Sequence, residues 1–237
     1  MTISLVRALA APTALAAVLA CSSTERTDPP VQDGLVPAAV LDEVAAMAAE
    51  DQRWERLVID RAPETSEPGF FDAKNALQDR HAARCKEIFE RHGLLSKPRV
   101  GEERASDFWV MVQHADRDPA FQGRVLAAMD ALPDSGVDPA ERAYLVDRVR
   151  VNTGRGQLYG TQVAFDTGRP EPKPIEDPAG VDARRAAVGL SPLLEYMNGA
   201  RELHFQMNRE IYLEQGVEGP ELYPEGWSDW PASGGSR

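Results

Sequence analysis

The sequence predicts a mainly α fold, a single helical domain with a small β-hairpin or ordered loop between about residues 153 and 175. Apolar residues recur at three-and-four spacing along most of the stretch from 36 to 216, which is typical of amphipathic helices. Asp-Pro-Ala occurs three times, and each copy places a capping carboxylate before a proline at the first helical position. Glycines, prolines and β-branched residues interrupt this pattern between 153 and 175.

The first 20 residues have the pattern of a secretory signal peptide. Arg7 precedes an uncharged run rich in Ala, Leu and Val that is too short to span a bilayer as a mature helix. The residues Val18-Leu19-Ala20-Cys21 resemble the lipobox of bacterial lipoproteins, and this resemblance implies that Cys21 becomes the lipidated N-terminus. Residues 21–35 are polar and contain two adjacent prolines, so they predict a flexible tether. We therefore expect an extracytoplasmic protein of the bacterial cell envelope, bound to the membrane through the lipid on Cys21.

The charge of the chain excludes nucleic acid as a partner. The formal charge is −12, and removal of the signal peptide with its single Arg7 changes it to −13. Phosphate contacts need a basic surface, and no basic run is visible. The chain has two cysteines, so lipidation of Cys21 would leave Cys85 without an intrachain disulfide partner. The stability of the domain must then come from packing.

The predicted helices follow one another from residue 37. The first begins at Pro37 and ends before Pro63, which cannot continue a helix. The second runs from about Phe71 to Arg91, and Gly93 supplies its C-terminal cap.

Three later helices begin at the Asp-Pro-Ala sequences, whose capping residues are Asp118, Asp138 and Asp177. Glu141 would complete a capping box in the second of these. A last long helix begins after Ser191-Pro192 and ends near Gly216, and residues 217–237 form a tail rich in Trp, Gly and Pro.

One stretch stands out as the centre of the fold. Residues 108–112 are five consecutive large apolar residues, and a helix that is apolar on nearly all sides is buried. The next turn carries Gln113, His114 and Asp116 into or beside the interior. Because a buried polar group without a partner is costly, these side chains must bind either protein groups or a ligand.

Several motifs resemble a bacterial family of unknown function, the domain-of-unknown-function family 6624. They are Gln113-His114-Ala115-Asp116, Asp147-Arg148-Val149, Gln157-Leu158-Tyr159-Gly160-Thr161-Gln162 and Val181-Asp182-Ala183-Arg184-Arg185. The resemblance covers roughly Ala49 to Tyr196. It implies one domain, and it carries no activity, because the family has none assigned.

The polar residues of these motifs predict a pocket centred on His114. His114 is a candidate general base, and Asp116 or Asp147 is a candidate for orienting its ring. Asp147 and the neutral and basic residues are candidates for binding a small polar ligand or envelope fragment, with the arginines clamping a carboxylate or phosphate. These candidates are Gln113, Asp147, Arg148, Gln157, Tyr159, Thr161, Gln162, Arg184 and Arg185.

Each candidate also has a structural interpretation. His114 can cap its own helix, Asp147 can form a solvated helix pair with Arg148 or Arg150, and Tyr-Gly-Thr-Gln can be a turn in which Gly160 has a positive φ. In that case the domain is a non-catalytic envelope interaction or structural module, with polar residues as internal struts and an exposed Trp227/Trp230 tail as the contact.

Other chemistry has weaker support in the sequence. There is no GxSxG motif and no phosphate-binding loop. His81 with Cys85, or His114 with Asp116 and Glu176, follow no known metal-ligand spacing, so the sequence predicts no metal site. It indicates neither a cofactor nor a reaction.

Overall fold

The computed structural model describes residues 35–133 and 136–233, so the predicted signal peptide, Cys21 and nearly all of the tether lie outside the described residues. The helices are α1 Ala38–Ile59, α2 Phe70–His92, α3 Lys97–Val100, α4 Glu102–Gln113, α5 Pro119–Asp130, α6 Pro139–Asn152, α7 Val181–Ala187, α8 Leu193–Met207 and α9 Arg209–Glu214. Strands β1 Val163–Ala164 and β2 Glu171–Pro172 form an antiparallel hairpin. The prediction of a mainly α fold with a small hairpin between 153 and 175 is confirmed.

The chain forms two compact units, and the division falls between Leu145 and Val146. The described part of the N-terminal unit begins at residue 35, and that of the C-terminal unit ends at residue 233. Within the two described ranges, no helix is both long enough and apolar enough to cross a membrane.

In the N-terminal unit, α1, α2 and α4 pack against one another. The helix α1 follows Pro37 directly, and α2 ends at Gly93, whose φ of 68° is readily adopted only by glycine. The stretch Phe108–Val112 is buried as predicted. It forms the end of α4, and His114 is the C-terminal capping residue of that helix.

The aspartates of the Asp-Pro-Ala sequences act as caps. Asp118 accepts a hydrogen bond from Phe121 N (2.9 Å), and Asp138 accepts one from Ala140 N (2.8 Å). Asp177 accepts from Gly180 N at 3.3 Å, but it caps a short 3₁₀ helix, Pro178–Gly180, which precedes α7. The helix predicted at this third site is therefore preceded by a tighter turn.

The last predicted helix is interrupted at Asn208. The backbone N–H and the side chain of Asn208 both donate to the carbonyl of His204, and α8 ends at Met207 while α9 begins at Arg209. Side chains that compete for helix carbonyls in this way favour a break. The apolar stripe continues across the break, which explains why the pattern alone predicted one helix.

The segment after Gly216 packs within the C-terminal unit. Asn198 of α8 exchanges two hydrogen bonds with the backbone of Tyr223, and Ile175 N donates to Pro231 O at 2.7 Å. Trp230 is 6% exposed and lies 5.0 Å from the ring of Tyr223. The expectation of an exposed Trp227/Trp230 tail is therefore wrong for Trp230, whose buried indole packs against the rings of Tyr223 and Trp227.

Candidate functional site

A cluster of buried polar side chains surrounds His114 in the N-terminal unit, and we call it the His114 cluster. The helix α1 contributes Asp51 and Glu55 one turn apart, α2 contributes Lys74, Gln78 and His81, and the end of α4 contributes His114. Their proximity is set by α1, α2 and α4 packing together, so residues far apart in sequence meet.

The shortest contact of the cluster joins His114 to Asp51. His114 Nδ1 lies 2.6 Å from Asp51 Oδ2, and the two side chains are 8% and 2% exposed. Burial raises the pKa of the Asp51 carboxyl, but the hydrogen bond and charge of His114, together with Lys74 and His81, outweigh it and lower the pKa below its usual value. An ionised Asp51 accepts the Nδ1 proton, and in the neutral ring this makes Nε2 the basic nitrogen.

Glu55 is held by two groups from α2. Lys74 Nζ lies 2.6 Å from Glu55 Oε1, and Gln78 Nε2 donates to the same oxygen at 3.2 Å. Both side chains of the ion pair are largely buried. The ammonium therefore compensates a carboxylate that would otherwise be costly to bury.

His81 extends the cluster along the same face of α2. Its Nε2 lies 3.4 Å from Glu50 Oε2, whereas its buried Nδ1 has no hydrogen-bond partner. Burial lowers the pKa of His81, and the charges of Asp51 and Glu50 act in the opposite direction.

The ligand atoms of Asp51, Glu55 and His114 all lie within 4.8 Å of one another. One imidazole nitrogen and two carboxylate oxygens form a donor set that can hold a divalent cation. The sequence predicted no metal site, because it paired His114 with residues other than those of α1.

Two further predicted site residues lie close to His114 in the sequence. Gln113 is buried, and neither atom of its amide has a hydrogen-bond partner. Asp116 is exposed, and its Oδ1 lies 3.5 Å from Gln122 Nε2. The Nδ1 of His114 faces Asp51 instead, so the ring is oriented by Asp51 and not by Asp116.

The other candidates meet in the C-terminal unit, around Asp147 of α6. Asp147 is 0% exposed, and its carboxylate accepts hydrogen bonds from three backbone N–H groups and one hydroxyl of the segment 157–162, which we call the Asp147 turn. The donors are Leu158 N (2.6 Å), Tyr159 N (3.1 Å), Thr161 N (2.9 Å) and Thr161 Oγ1 (3.0 Å). Burial raises the pKa of Asp147, and these hydrogen bonds lower it by less. The solvated pair with Arg148 or Arg150 is therefore wrong for Asp147.

The side chain of Gln157 links the two ends of the Asp147 turn. Gln157 Nε2 donates to the carbonyls of Gln162 (2.9 Å) and Lys173 (2.7 Å), and Gln162 N donates to Gln157 Oε1 at 2.6 Å. Gly160 has φ 68°, as the turn interpretation predicts, and a Cβ there would lie 2.8 Å from Leu193 Cδ1.

Two of the three predicted arginines also bind this turn. Arg184 Nε donates to Leu158 O at 2.7 Å, and Arg185 Nη1 donates to Tyr159 O at 2.6 Å. Arg148 is buried. Their observed partners are protein groups, and ligand binding by Arg148, Arg184, Arg185, Gln157, Tyr159 and Gln162 stays a prediction.

Comparison with known proteins places the chain in a family. A family of unknown function, DUF6624, matches residues 38–204. The chain belongs to this family. The DUF6624 region contains both the His114 cluster and the Asp147 turn, whereas the segment from residue 205 onward, with Trp230, lies outside it. No curated protein and no solved structure matches the chain.

Sequence reasoning missed Asp51 and Glu55, the α1 members of the His114 cluster, in this DUF6624 protein. The missed signal is in α1, where the buried residues Val44, Ala48, Asp51, Glu55 and Val58 follow helical spacing. Two acidic residues therefore occupy core-facing positions. Charged residues are rarely buried unless they are paired, so this placement alone marks a polar interior.

Proposed function

We propose that this chain is a lipid-anchored protein of the bacterial cell envelope that binds a small polar ligand at the His114 cluster and hydrolyses it, with His114 as the general base. The lipobox-like residues before Cys21 support the anchor. The observation that carries the site is the buried 2.6 Å contact between His114 Nδ1 and Asp51 Oδ2. A carboxylate that fixes one ring nitrogen prepares the other to accept a proton from water or a ligand.

The cluster offers such a ligand charged groups of both signs. Lys74 supplies a positive charge and Glu55 a negative one. Groups of this kind orient small polar molecules in binding sites. In hydrolysis, His114 would take a proton from water as the oxygen attacks, and return it to the leaving group.

The alternative is a non-catalytic envelope interaction or structural module. The Asp147 turn favours this alternative. The side chains of Asp147, Gln157 and Arg185 all bind backbone groups of the same unit. This second candidate predicts that the polar residues contribute to stability and to no ligand.

A thermal-shift screen separates the two candidates. The full chain in detergent is screened against polar metabolites and peptidoglycan fragments, and each compound that raises Tm is tested again on His114→Asn. The asparagine amide can still donate to Asp51, but it lacks the distal ring nitrogen. We expect Tm without ligand to change little and the ligand-induced shift to be lost. His92→Gln, which changes a histidine outside the cluster, is the matched control and keeps the shift.

Removing the whole side chain is a less informative test. His114→Ala leaves the buried Asp51 carboxylate without its partner, and this destabilises the protein whichever proposal holds. A ligand-induced shift that survives in His114→Asn would refute the proposed site. A large loss of Tm in that variant would favour the strut interpretation.

A further inference from the structure

Three side chains of the His114 cluster are of the types that bind metal ions and lie close together. We propose that Asp51, Glu55 and His114 bind a divalent transition-metal cation, with Zn²⁺ as the reference ion. Their ligand atoms lie within 4.8 Å of one another, and all three side chains are largely buried. This inference rests on the proposed function, because it concerns the same site and changes how water is activated there.

The chemistry of the three ligands matches a catalytic type of site. Zinc binds imidazole nitrogen and carboxylate oxygen at about 2.0–2.2 Å, so neighbouring ligand atoms lie roughly 3–3.5 Å apart in a tetrahedral site. The observed separations require side-chain adjustments on the order of 1 Å, which rotamer changes supply. Three protein ligands leave one position for water, and bound Zn²⁺ lowers the pKa of that water towards neutrality. Metal-bound water would then be the nucleophile in hydrolysis, in place of water deprotonated by His114.

Lys74 places a positive charge beside one of the proposed ligands, Glu55. Its ammonium lies 2.6 Å from Glu55 Oε1, while the Nδ1 proton of His114 faces Asp51. A divalent cation would displace the Lys74 ammonium from Glu55 and the Nδ1 proton of His114 from Asp51. Lys74 therefore competes with the metal, and removal of its charge should strengthen metal binding. In an internal strut, Lys74 would only stabilise the buried carboxylate of Glu55.

The buried Nδ1 of His81 on α2 is an independent observation that points to a bound ion. His81 is 7% exposed, and its Nδ1 has no hydrogen-bond partner. It follows Lys74 and Gln78 at positions i+7 and i+3, and both of those side chains reach Glu55, so His81 shares the helix face that lines the cluster. A buried nitrogen without a partner needs an explanation, and a bound ion nearby supplies one. His81 lines the cluster beside the three ligands, which leaves the fourth position to water.

The test is isothermal titration of Zn²⁺ into the full chain in detergent, with Mn²⁺ and Co²⁺ as comparison ions. We expect one site in the wild type and a loss of affinity of roughly 100-fold or more in Glu55→Gln, which removes a ligand charge. Lys74→Gln should bind at least about tenfold more tightly, because a positive charge leaves the immediate surroundings of the cation. Circular dichroism establishes that each variant is folded.

Glu43→Gln is the matched control. Glu43 lies on the same helix as Glu55 and also forms an ion pair with a cation of α2, Arg84, at 2.7 Å, but that pair is more exposed. Its substitution should leave the affinity for Zn²⁺ unchanged. Lys74→Gln removes no proposed ligand, so it carries the test even if Glu55→Gln does not fold.

The inference is overturned if the wild type binds none of the three ions, or if Lys74→Gln weakens binding or leaves it unchanged. Its failure is distinguishable from that of the proposed function. A polar ligand that raises Tm with EDTA present, and only when His114 is intact, supports the proposed function without the metal. Binding of Zn²⁺ to the cluster with no ligand found in the screen supports the metal alone.

Discussion

Asp147→Asn is expected to destabilise the C-terminal unit, because this carboxylate holds the Asp147 turn. Oδ1 accepts from Leu158 N at 2.6 Å, and Oδ2 accepts from Thr161 N at 2.9 Å. Tyr159 N lies 3.1 Å from both oxygens. An asparagine amide replaces one oxygen by an NH₂ group, which faces N–H donors that it cannot accept from.

The magnitude follows from the donors that lose their acceptor. One or two buried N–H groups become unsatisfied, at about 1–3 kcal/mol each. The substitution also removes a buried charge whose burial raises the pKa of Asp147, and this gain offsets part of the loss. We therefore expect the free energy of unfolding to fall by about 3 kcal/mol.

Two measurements on the same variant check this value. Urea denaturation gives the change in the free energy of unfolding, and amide hydrogen exchange reports the turn itself. Exchange at Leu158, Tyr159 and Thr161 should become about 100-fold faster, which corresponds to about 3 kcal/mol.

Asp182→Asn is the matched control, because Asp182 is exposed and accepts one backbone hydrogen bond, from Leu193 N at 2.7 Å. It should cost about 1 kcal/mol or less and leave exchange in the Asp147 turn unchanged. The reasoning is refuted if Asp147→Asn costs no more than Asp182→Asn and the three amides stay protected.

Three other substitutions probe separate parts of the chain. Burial raises the pKa of Glu141 from 4.5 to about 7, so its stabilising contribution is complete below pH 4.5 and is lost as the pH rises through 7. Urea denaturation at pH 5 and pH 8 should therefore show that Glu141→Gln is more stable than the wild type at pH 8, by up to about 3 kcal/mol. Cys21→Ala should abolish incorporation of labelled palmitate and release the protein from membranes, whereas Cys85→Ala should keep the label; label in Cys21→Ala would exclude the predicted anchor. Trp230→Ala should cost about 3–5 kcal/mol and speed limited proteolysis between 217 and 233, whereas Leu222→Ala, at a side chain that is 43% exposed, should do neither.

The parts of the fold that the sequence predicted are those with local causes. The start of α1 after Pro37 and the end of α2 at Gly93 follow from the backbone limits of proline and glycine. The cap at Asp118 is equally local, because its donor lies three residues away. Asn208 shows the limit of this reasoning, since a side chain that bonds a helix carbonyl interrupts an apolar pattern that itself continues.

The candidate site was only partly predictable. The sequence singled out His114 by its position after the buried stretch of α4, but its partner Asp51 is 63 residues away and is brought close only by the packing of α1 against α4. The same limit applies to Asp147, whose partners come from a turn 11 to 14 residues later in the chain. Tertiary packing decides such pairings, and a single sequence carries no record of it. The acidic residues on the buried face of α1 were the available clue.

The claim that the His114 cluster is a ligand site has one direct test. The chain has four histidines, so ¹⁵N-histidine labelling gives four ring systems in an NMR spectrum. The protein is titrated with the ligand found in the thermal-shift screen, and we expect the Nε2 signal of His114 to move with binding while those of His92 and His204 stay in place. If the ligand saturates the protein and the ring signals of His114 do not move, the ligand binds elsewhere and the cluster is a structural element of the N-terminal unit.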